Sequence, residues 1–329
     1  MTSKCLDYLN TMEVGQGAHH QNMTMFPLFF EAGVGISYLT LDAALEKHLI
    51  EITEVSEAGD VPNLMVTNRG EIPILILAGE ELVGAKQNRI VNATFLVAGQ
   101  VSIKIPVSCV EAGRWNYRGK EFQSEKRMSS PQLRTKVHQD VNFAIREGRG
   151  FRADQGGVWD EIGAKSARMS VHSPTAAMSD IYESYDEKLR QYTQNFAVSQ
   201  NQKGFLVAVN GKIMGLEVFD SPGSLAHYFD KLIQSYALDA LDLLIQGLPP
   251  QKSTPKVEKW LGEVAELPFL SSPSLGLGED IRIESQKVIG SGLKHENTVL
   301  YLAVFPKAGG GVKLGMARAS KRGAFTRER

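Results

Sequence analysis

The chain is poor in cysteine and carries almost no net charge. Its 329 residues include two cysteines, Cys5 and Cys109, which are too few for a disulfide framework. The 36 basic and 37 acidic side chains give a formal charge of -1, so whole-molecule electrostatics favour neither nucleic acid nor an anionic membrane. A partner that is attracted by charge must therefore be recognised by a local cluster of side chains.

Long hydrophobic runs and targeting signals are also missing. The apolar run FPLFF (26–30) is too short to cross a bilayer, and no basic-then-apolar leader opens the sequence. We therefore expect a cytoplasmic protein with no membrane partner. Hydrophobic residues make up 43% of the chain, which is enough for a sizeable core in one large or two medium domains.

The strongest single-sequence motifs of enzymes are absent as well. The chain has no HExxH, CxxC, GxSxG, Walker lysine loop or EF-hand spacing, which argues against zincins, zinc deaminases and P-loop enzymes. The glycine-rich stretches GSGLKH (290–295) and AGGG (308–311) could offer backbone N–H groups to a phosphate. We expect both to be ordinary turns between strands, because glycine so often only supplies a positive φ.

Short apolar runs separated by turn residues fill the first third of the chain, residues 1–113. They are rich in Ile, Val, Leu, Phe and Thr, as strands are: MTMFPLFF, ISYLTL, LIEITEV, NLMVTN, IPILILAG, RIVNATFLVAG and VSIKIPVSCVE. One short helix, DAALEKHL, begins at Asp42 and interrupts them. This part is therefore predicted to be a mixed or antiparallel β-rich sheet.

The middle third, residues 114–200, is predicted to be a basic helical segment. Helices are expected at 129–148, with Pro131 in its first turn, at 159–169 and at 175–196. From Arg114 to Ala153 ten Lys or Arg face four acids, a local excess of six positive charges.

The last third, residues 201–316, returns to strands. GFLVAVNGKIMGLEVF (204–219) predicts a hairpin turned at Asn210-Gly211, since a type I′ turn needs a positive φ at both central residues. A long helix, a short helix and two more strands are predicted to follow. The fold class is therefore α+β, in one compact domain with a C-terminal hairpin–helix–strand unit, and the basic end at 317–329 is predicted to be flexible.

The stretch LAGEELVGAKQNRIVN (77–92) carries more polar groups than a strand crossing needs. It lies between two apolar runs, so we place it at or near a connection, where a rigid sheet can present polar groups to a ligand. The alternative is a solvated hairpin end. Its candidate side chains are acids (Glu80, Glu81), phosphate-binding cations (Lys86, Arg89) and amides (Gln87, Asn88, Asn92).

A second polar segment leaves the following strand in VEAGRW (110–115). Glu111, Arg114 and Trp115 repeat the same types of group. If consecutive strands pair, the two segments converge on one site, where Trp115 can stack on a base or a sugar.

Two other candidates have simpler interpretations. Cys109 lies in an apolar strand, where a cysteine is usually buried and inert. On the helix after DSPGS, His227, Lys231 and Gln234 share one face that we expect to be solvated, and Ser221 is expected to cap the helix without binding an anion.

Three separated blocks of the sequence resemble the ARG and rhodanese-phosphatase-superfamily-associated protein domain family. They are GEELVGAKQNRIVN (79–92), IPVSCVEAGRW (105–115) and VNGKIMGLEVFDSPGSLAHYFDKLIQSYALDA (209–240), and the resemblance extends over 38–305. The family name records an association with ADP-ribosylglycohydrolases and a rhodanese-like phosphatase family. The resemblance therefore implies a role near ADP-ribose or NAD metabolism, and it carries no catalytic assignment.

Two functions are consistent with these residues. In the first, Arg89, Arg114 and Lys86 hold the pyrophosphate of an ADP-ribose-like nucleotide. Glu80, Glu81 or Glu111 then orient ribose hydroxyls, bind Mg²⁺ or act as a general base, which would make the protein a hydrolase of a nucleotide or ADP-ribosyl group.

The second function is a non-catalytic binding module. The basic residues of 114–153 are interleaved with aromatic side chains, as recognition of RNA by stacking requires. The same segment would also suit an acidic protein surface.

Overall fold

The computed structural model describes residues 6–31, 35–56, 60–117, 119–247 and 255–307. Within these ranges the chain forms strands and α-helices in alternation, and the predicted α+β class is confirmed. The AGGG stretch and the basic end at 317–329 lie outside the described residues.

The first half of the chain contains most of the short strands. They are β1 (Glu13–Val14), β2 (Ala18–His20), β3 (Met23–Phe29), β4 (Leu39–Thr40), β5 (Ile50–Glu54), β6 (Asn63–Asn68), β7 (Ile74–Ile76), β8 (Glu80–Gly84), β9 (Arg89–Val91), β10 (Phe95–Val97), β11 (Ser102–Cys109) and β12 (Phe122–Met128), with a 3-10 helix (Asp7–Thr11) and α1 (Leu41–Glu46).

The second half contains the long helices and the longer strands. They are α2 (Pro131–Arg146), α3 (Gln155–Arg168), α4 (Met178–Ser184), α5 (Asp186–Gln194), β13 (Gly204–Val209), β14 (Lys212–Phe219), α6 (Pro222–Ile245), α7 (Val257–Ala265), β15 (Phe269–Pro273), β16 (Glu279–Glu284), β17 (Val288–His295) and β18 (Thr298–Pro306).

Six strands form an antiparallel sheet in the order β12-β8-β9-β11-β6-β5. A bridge between Thr53 and Glu121 joins its two outer strands, and every strand contributes to one hydrophobic cluster, for example Ile52, Val66 and Leu82. Because residues two apart on a strand share a face, the sheet is wrapped around this cluster. We call the closed six-stranded sheet the barrel.

The other large sheet has nine strands in the order β1-β3-β13-β14-β18-β17-β16-β15, with β2 paired to β3. The hairpin between β13 and β14 turns at Asn210 and Gly211, whose φ values of 49° and 73° confirm the predicted turn. A small third sheet, β10-β7-β4, contributes Ile74, Ile76 and Phe95 to the barrel core.

Helix α6 is the central helix of the molecule. The side chain of Ser221 accepts a hydrogen bond from the Ser224 amide at 3.1 Å, so Ser221 caps the helix as expected. The expectation of a solvated face is wrong at Lys231, which is 4% exposed and forms an ion pair with Glu80 of the barrel. α6 therefore joins the barrel to the rest of the fold through buried charge.

Several elements differ from the sequence prediction. Residues Glu80–Gly84 form strand β8, whereas the whole of GEELVGAKQNR is predicted as a connection. Strand β12 lies within the segment predicted to be helical; its outward side chains are charged or polar and hide the alternation. The predicted helix at 175–196 is two helices that meet at Tyr185. GSGLKH lies inside β17, where its glycines pack closely against the backbone of β18.

Candidate functional site

The turn of the β8–β9 hairpin and the loop after β11 meet, as the sequence predicts for the two polar segments. Arg114 holds them together. Its Nη1 donates to the carbonyl oxygens of Ala85 (2.7 Å) and Asn116 (2.8 Å), and its Nη2 donates to the Gly84 carbonyl (3.3 Å) and to Asn88 Oδ1 (3.0 Å). Its Nε donates to Glu111 Oε2 at 2.9 Å. All donor nitrogens of Arg114 are thus used by the protein itself.

Glu111 and Asn92 are likewise engaged in holding local structure. Glu111 Oε2 also accepts from the Asn88 amide at 3.2 Å. Burial acts to raise the pKa of Glu111, but the hydrogen bonds from Arg114 and Asn88 outweigh it and lower the pKa below its ordinary value. Asn92 donates to the Phe151 carbonyl (3.0 Å) and accepts from Ser108 (2.8 Å).

Glu80 is part of a closed buried ion pair. Its Oε1 lies 2.5 Å from Lys231 Nζ, and its Oε2 accepts from the Leu77 amide at 2.7 Å. Lys231 also contacts Asp42 at 2.8 Å. This arrangement links α6 and α1 to β8, and it leaves neither oxygen of Glu80 without a partner.

Glu81 and Arg89 lie on opposite faces of the same hairpin. Leu82 is the partner of Arg89 across the strands, while Glu81 pairs with Ile90. Since neighbouring residues on a strand point to opposite faces, Arg89 points into the barrel and Glu81 points away from it. The structure therefore separates Glu81 from Arg89, although the sequence prediction places both in one site.

Glu81 is a fully buried carboxylate. Among the described residues, neither of its oxygens has a hydrogen-bond partner. Burial raises the pKa of Glu81 to about 8, and the nearby charge of Arg127 offsets this only in part. Of the three predicted catalytic carboxylates, Glu81 is the one whose oxygens have no hydrogen-bond partner in the described residues.

Arg89 is a fully buried guanidinium that is only half used. Its Nη1 donates to the backbone carbonyl (3.2 Å) and the side-chain oxygen (3.1 Å) of Gln87. Its Nε and Nη2 have no hydrogen-bond partner in the described part of the chain. These two nitrogens form one edge of the guanidinium, the edge that can hold a carboxylate or phosphate through two parallel hydrogen bonds.

Glu54 faces this unused edge, and the sequence prediction missed it. Its Oε1 lies 3.7 Å from Arg89 Nη2, which is too long for a hydrogen bond. Both Glu54 oxygens are buried and have no described hydrogen-bond partner. A signal was present in the strand LIEITEV: Ile50 and Ile52 point into the core, and Glu54 follows them on the same face.

Two exposed aromatic rings lie beside Lys86, and one of them, Trp115, also lies over Arg89. Lys86 Nζ is 5.1 Å from the ring centroids of both Trp115 and Tyr117, and Arg89 Cζ is 5.8 Å from the Trp115 centroid. Trp115 is 44% exposed and Tyr117 is 50% exposed. Rings, ammonium and guanidinium thus form a layered cluster at this end of the barrel, which we call the hairpin end.

Cys109 lies opposite Arg89 on the neighbouring strand. It is buried, as expected, and burial raises the pKa of its thiol to about 11 despite the nearby Arg89. The sulfur is therefore a neutral thiol near pH 7, which does not suit a nucleophile.

The basic segment 114–153 is largely neutralised by its neighbours. Among the nine of its cations that the structure describes, six form ion pairs with carboxylates: Arg114, Lys126, Arg127, Arg134, Lys136 and Arg146. Four of these carboxylates belong to distant parts of the chain, at residues 46, 183, 217 and 284.

The described residues show neither a metal-binding cluster nor a membrane-spanning helix. They contain no group of three or more His, Cys, Asp or Glu side chains arranged to hold a metal ion. No helix among them has both the length and the apolar character needed to span a bilayer.

Comparison with known proteins gives one match. No curated protein and no solved structure matches the chain. The model of the ARG and Rhodanese-Phosphatase-superfamily-associated Protein domain matches residues 11–305, which include the barrel, the helices and the nine-stranded sheet. The chain belongs to this family.

Proposed function

We propose that the protein binds a nucleotide that carries a pyrophosphate, of the ADP-ribose or NAD-derived type, at the hairpin end of the barrel. One observation carries this proposal. The oxyanion-binding edge of Arg89 has no hydrogen-bond partner in the described residues, and its guanidinium lies beside Trp115, one of two exposed rings that contact the buried Lys86.

The cations account for the phosphate groups. Arg89 offers two parallel donors and Lys86 offers a nearby positive charge, which is the combination that binds phosphate oxygens in many proteins. Arg89 is fully buried and Trp115 contacts it. The Trp115 ring therefore moves aside when the phosphate reaches the guanidinium.

The aromatic rings account for the base. Trp115 and Tyr117 leave half of their surface exposed, and a base that stacks on such a ring gains about 1–3 kcal/mol. The two rings lie on the loop after β11, while Lys86 lies in the β8–β9 turn and Arg89 begins β9, so one ligand can contact both kinds of group.

The remaining predicted residues have supporting roles in this proposal. Arg114, Glu111 and Asn88 hold the two loops in register, because their polar atoms already bond to one another. A hydrolase activity, a bound Mg²⁺ and a catalytic role for Glu81 stay predictions, since Glu81 lies on the other face of the hairpin.

The alternative, an RNA-binding or acidic-protein-binding surface on residues 114–153, has less support. Six of the nine described cations of that segment are already paired within the chain. Such pairs reduce the number of phosphates that the surface can neutralise, and that number sets the strength of electrostatic RNA binding.

Calorimetric titration with ADP-ribose, NAD, AMP and a short single-stranded RNA tests the proposal. Trp115→Ala should weaken ADP-ribose binding about tenfold or more through lost stacking, and Lys86→Gln should weaken it by a similar factor. The matched controls are Trp159→Ala, another exposed tryptophan at 36%, and Lys104→Gln, an exposed lysine on β11.

The outcomes separate the two functions. Binding of ADP-ribose that both site variants weaken and both controls preserve supports the nucleotide site. RNA binding that decreases steeply with salt, with no heat from any nucleotide, would replace it with the alternative.

A further inference from the structure

Glu54 and Arg89 form a buried ion pair in which, within the described residues, most of the polar atoms have no hydrogen-bond partner. Glu54 on β5 and Arg89 on β9 both point into the core of the barrel. The Glu54 side chain is 4% exposed and the Arg89 side chain is 0% exposed. Two Glu54 oxygens and two Arg89 nitrogens nevertheless have no hydrogen-bond partner in the described residues. A buried charge destabilises the folded state unless hydrogen bonds compensate for its lost hydration, so this geometry lowers the stability of the free protein.

A closed pair within the same protein shows what is missing. Arg134 and Glu217 are equally buried, but they lie 2.8 Å apart, and Tyr236 and Tyr301 donate to the two Glu217 oxygens at 2.9 and 2.6 Å. In the described part of the chain, no comparable donor lies within hydrogen-bond distance of Glu54. Glu54 therefore offsets the charge of Arg89 but accepts no hydrogen bond from its Nε–Nη2 edge.

We propose that the Glu54 carboxylate competes with a bound oxyanion for the guanidinium of Arg89. This inference rests on the proposed nucleotide site and adds its specificity-determining residue. In the free protein the Glu54 carboxylate offsets the charge of Arg89. A phosphate takes both hydrogen bonds of the Nε–Nη2 edge and places a second negative charge beside Glu54.

The competition selects among anions. A ligand must gain more at Arg89 and Lys86 than it loses by repulsion from Glu54. A pyrophosphate, with several oxygens and charges, reaches both cations at once. A ligand with a single carboxylate would only take the place of the Glu54 carboxylate at Arg89, so it gains little binding free energy.

The test is calorimetric titration of the full chain with inorganic phosphate, pyrophosphate and ADP-ribose. Glu54→Gln removes the competing charge and keeps the shape, so it should tighten pyrophosphate binding about tenfold. Glu54→Asp keeps the charge and should stay close to the natural protein. The double change Glu54→Gln with Arg89→Gln should abolish the gain, because the edge that benefits is removed.

Glu51→Gln is the matched control. Glu51 lies on the same strand but on its outward face, where it pairs with Arg69. Urea unfolding of each variant confirms that it is folded before its affinity is compared. A folded Glu54→Gln variant that binds pyrophosphate equally or more weakly overturns the inference, and so does an equal gain in Glu54→Asp or Glu51→Gln.

The failures of the two proposals differ. If ADP-ribose binds and Glu54→Gln changes nothing, the nucleotide site stands and the competitor is wrong. If Glu54→Gln tightens pyrophosphate but ADP-ribose binds no better than pyrophosphate, the oxyanion site stands and the nucleotide proposal fails. If no probe binds the natural protein or the variant, both fail.

Discussion

The polar face of α6 and the hairpin end of the barrel both bury charge, but they do so differently. Along α6 the charged groups are in hydrogen-bonded contact: Lys231 with Glu80, and Lys165 with Asp239, each at 2.5 Å. At the hairpin end Arg89 and Glu54 stay 3.7 Å apart with unused donors and acceptors. Burial of charge alone therefore does not mark a functional site. The two regions differ in that Arg89 and Glu54 keep buried donors and acceptors without hydrogen-bond partners in the described residues.

Removing one partner from the closed pair between Arg134 and Glu217, which Tyr236 of α6 also contacts, should have the largest effect on stability. Glu217→Gln leaves Arg134 buried without its counter-charge, so the free energy of unfolding should decrease by about 3–5 kcal/mol. Urea denaturation at neutral pH measures this. The comparison between the two regions breaks down if Glu54→Gln, at the open pair, costs as much.

Glu81→Gln should remove a pH dependence of stability. The folded-state pKa of Glu81, about 8, lies above its unfolded value, so the folded protein holds a proton that the unfolded chain releases. The natural protein therefore loses stability as pH rises from about 4.5 to 8. The variant should be more stable than the natural protein at pH 9 by on the order of 5 kcal/mol, and close to it near pH 4.5.

Denaturation curves at several pH values check this prediction. Glu183→Gln is a suitable control, because that carboxylate is 61% exposed on its side chain and lies near the same region. A constant difference between Glu81→Gln and the natural protein from pH 4.5 to 9 would contradict a buried titrating carboxylate.

Arg114→Ala should destabilise the junction of the two loops by about 2 kcal/mol. The change leaves the buried acceptors of Glu111 and Asn88 and the Ala85 carbonyl without their donor. If Arg114 only positions the loops, Arg114→Ala should weaken ADP-ribose and pyrophosphate by the same factor. A loss confined to one ligand would assign Arg114 a direct contact instead.

The exposed pair between Lys126 and Glu46 should matter least. Their side chains are 65% and 63% exposed, and such surface pairs contribute little in water. Lys126→Gln should change the free energy of unfolding by less than about 0.5 kcal/mol. A larger loss would show that the ion pairs of the basic segment have a structural role of their own.

Some turns and helix ends could be predicted from the sequence because they depend on only a few neighbouring residues. The Asn210-Gly211 turn follows from the need for positive φ, and α2 begins where Ser130 and Pro131 predict it. The contact between the two polar segments also followed from pairing of neighbouring strands.

The composition of the site could not be read in the same way. Whether Glu81 or Arg89 enters the barrel depends on the strand register, and a shift of one residue exchanges the two faces. Lys231 looks solvated on its own helix, and only the barrel above it shows that it is buried. Glu54 is distant in sequence from both polar segments, so no local pattern connects it to Arg89.

Closure of the barrel also bears on how copies of the chain meet one another. The bridge from Thr53 to Glu121 occupies the outer strands, which removes a template for strand addition by another molecule. The nine-stranded sheet ends at β15, which pairs with β16 alone among the described strands and exposes 66% of Leu270. Pro273 shortens the row of N–H donors on β15. Among the described residues the edge strands of the nine-stranded sheet are β1, β2 and β15, and all three are short, so each offers few backbone groups to a strand of another copy.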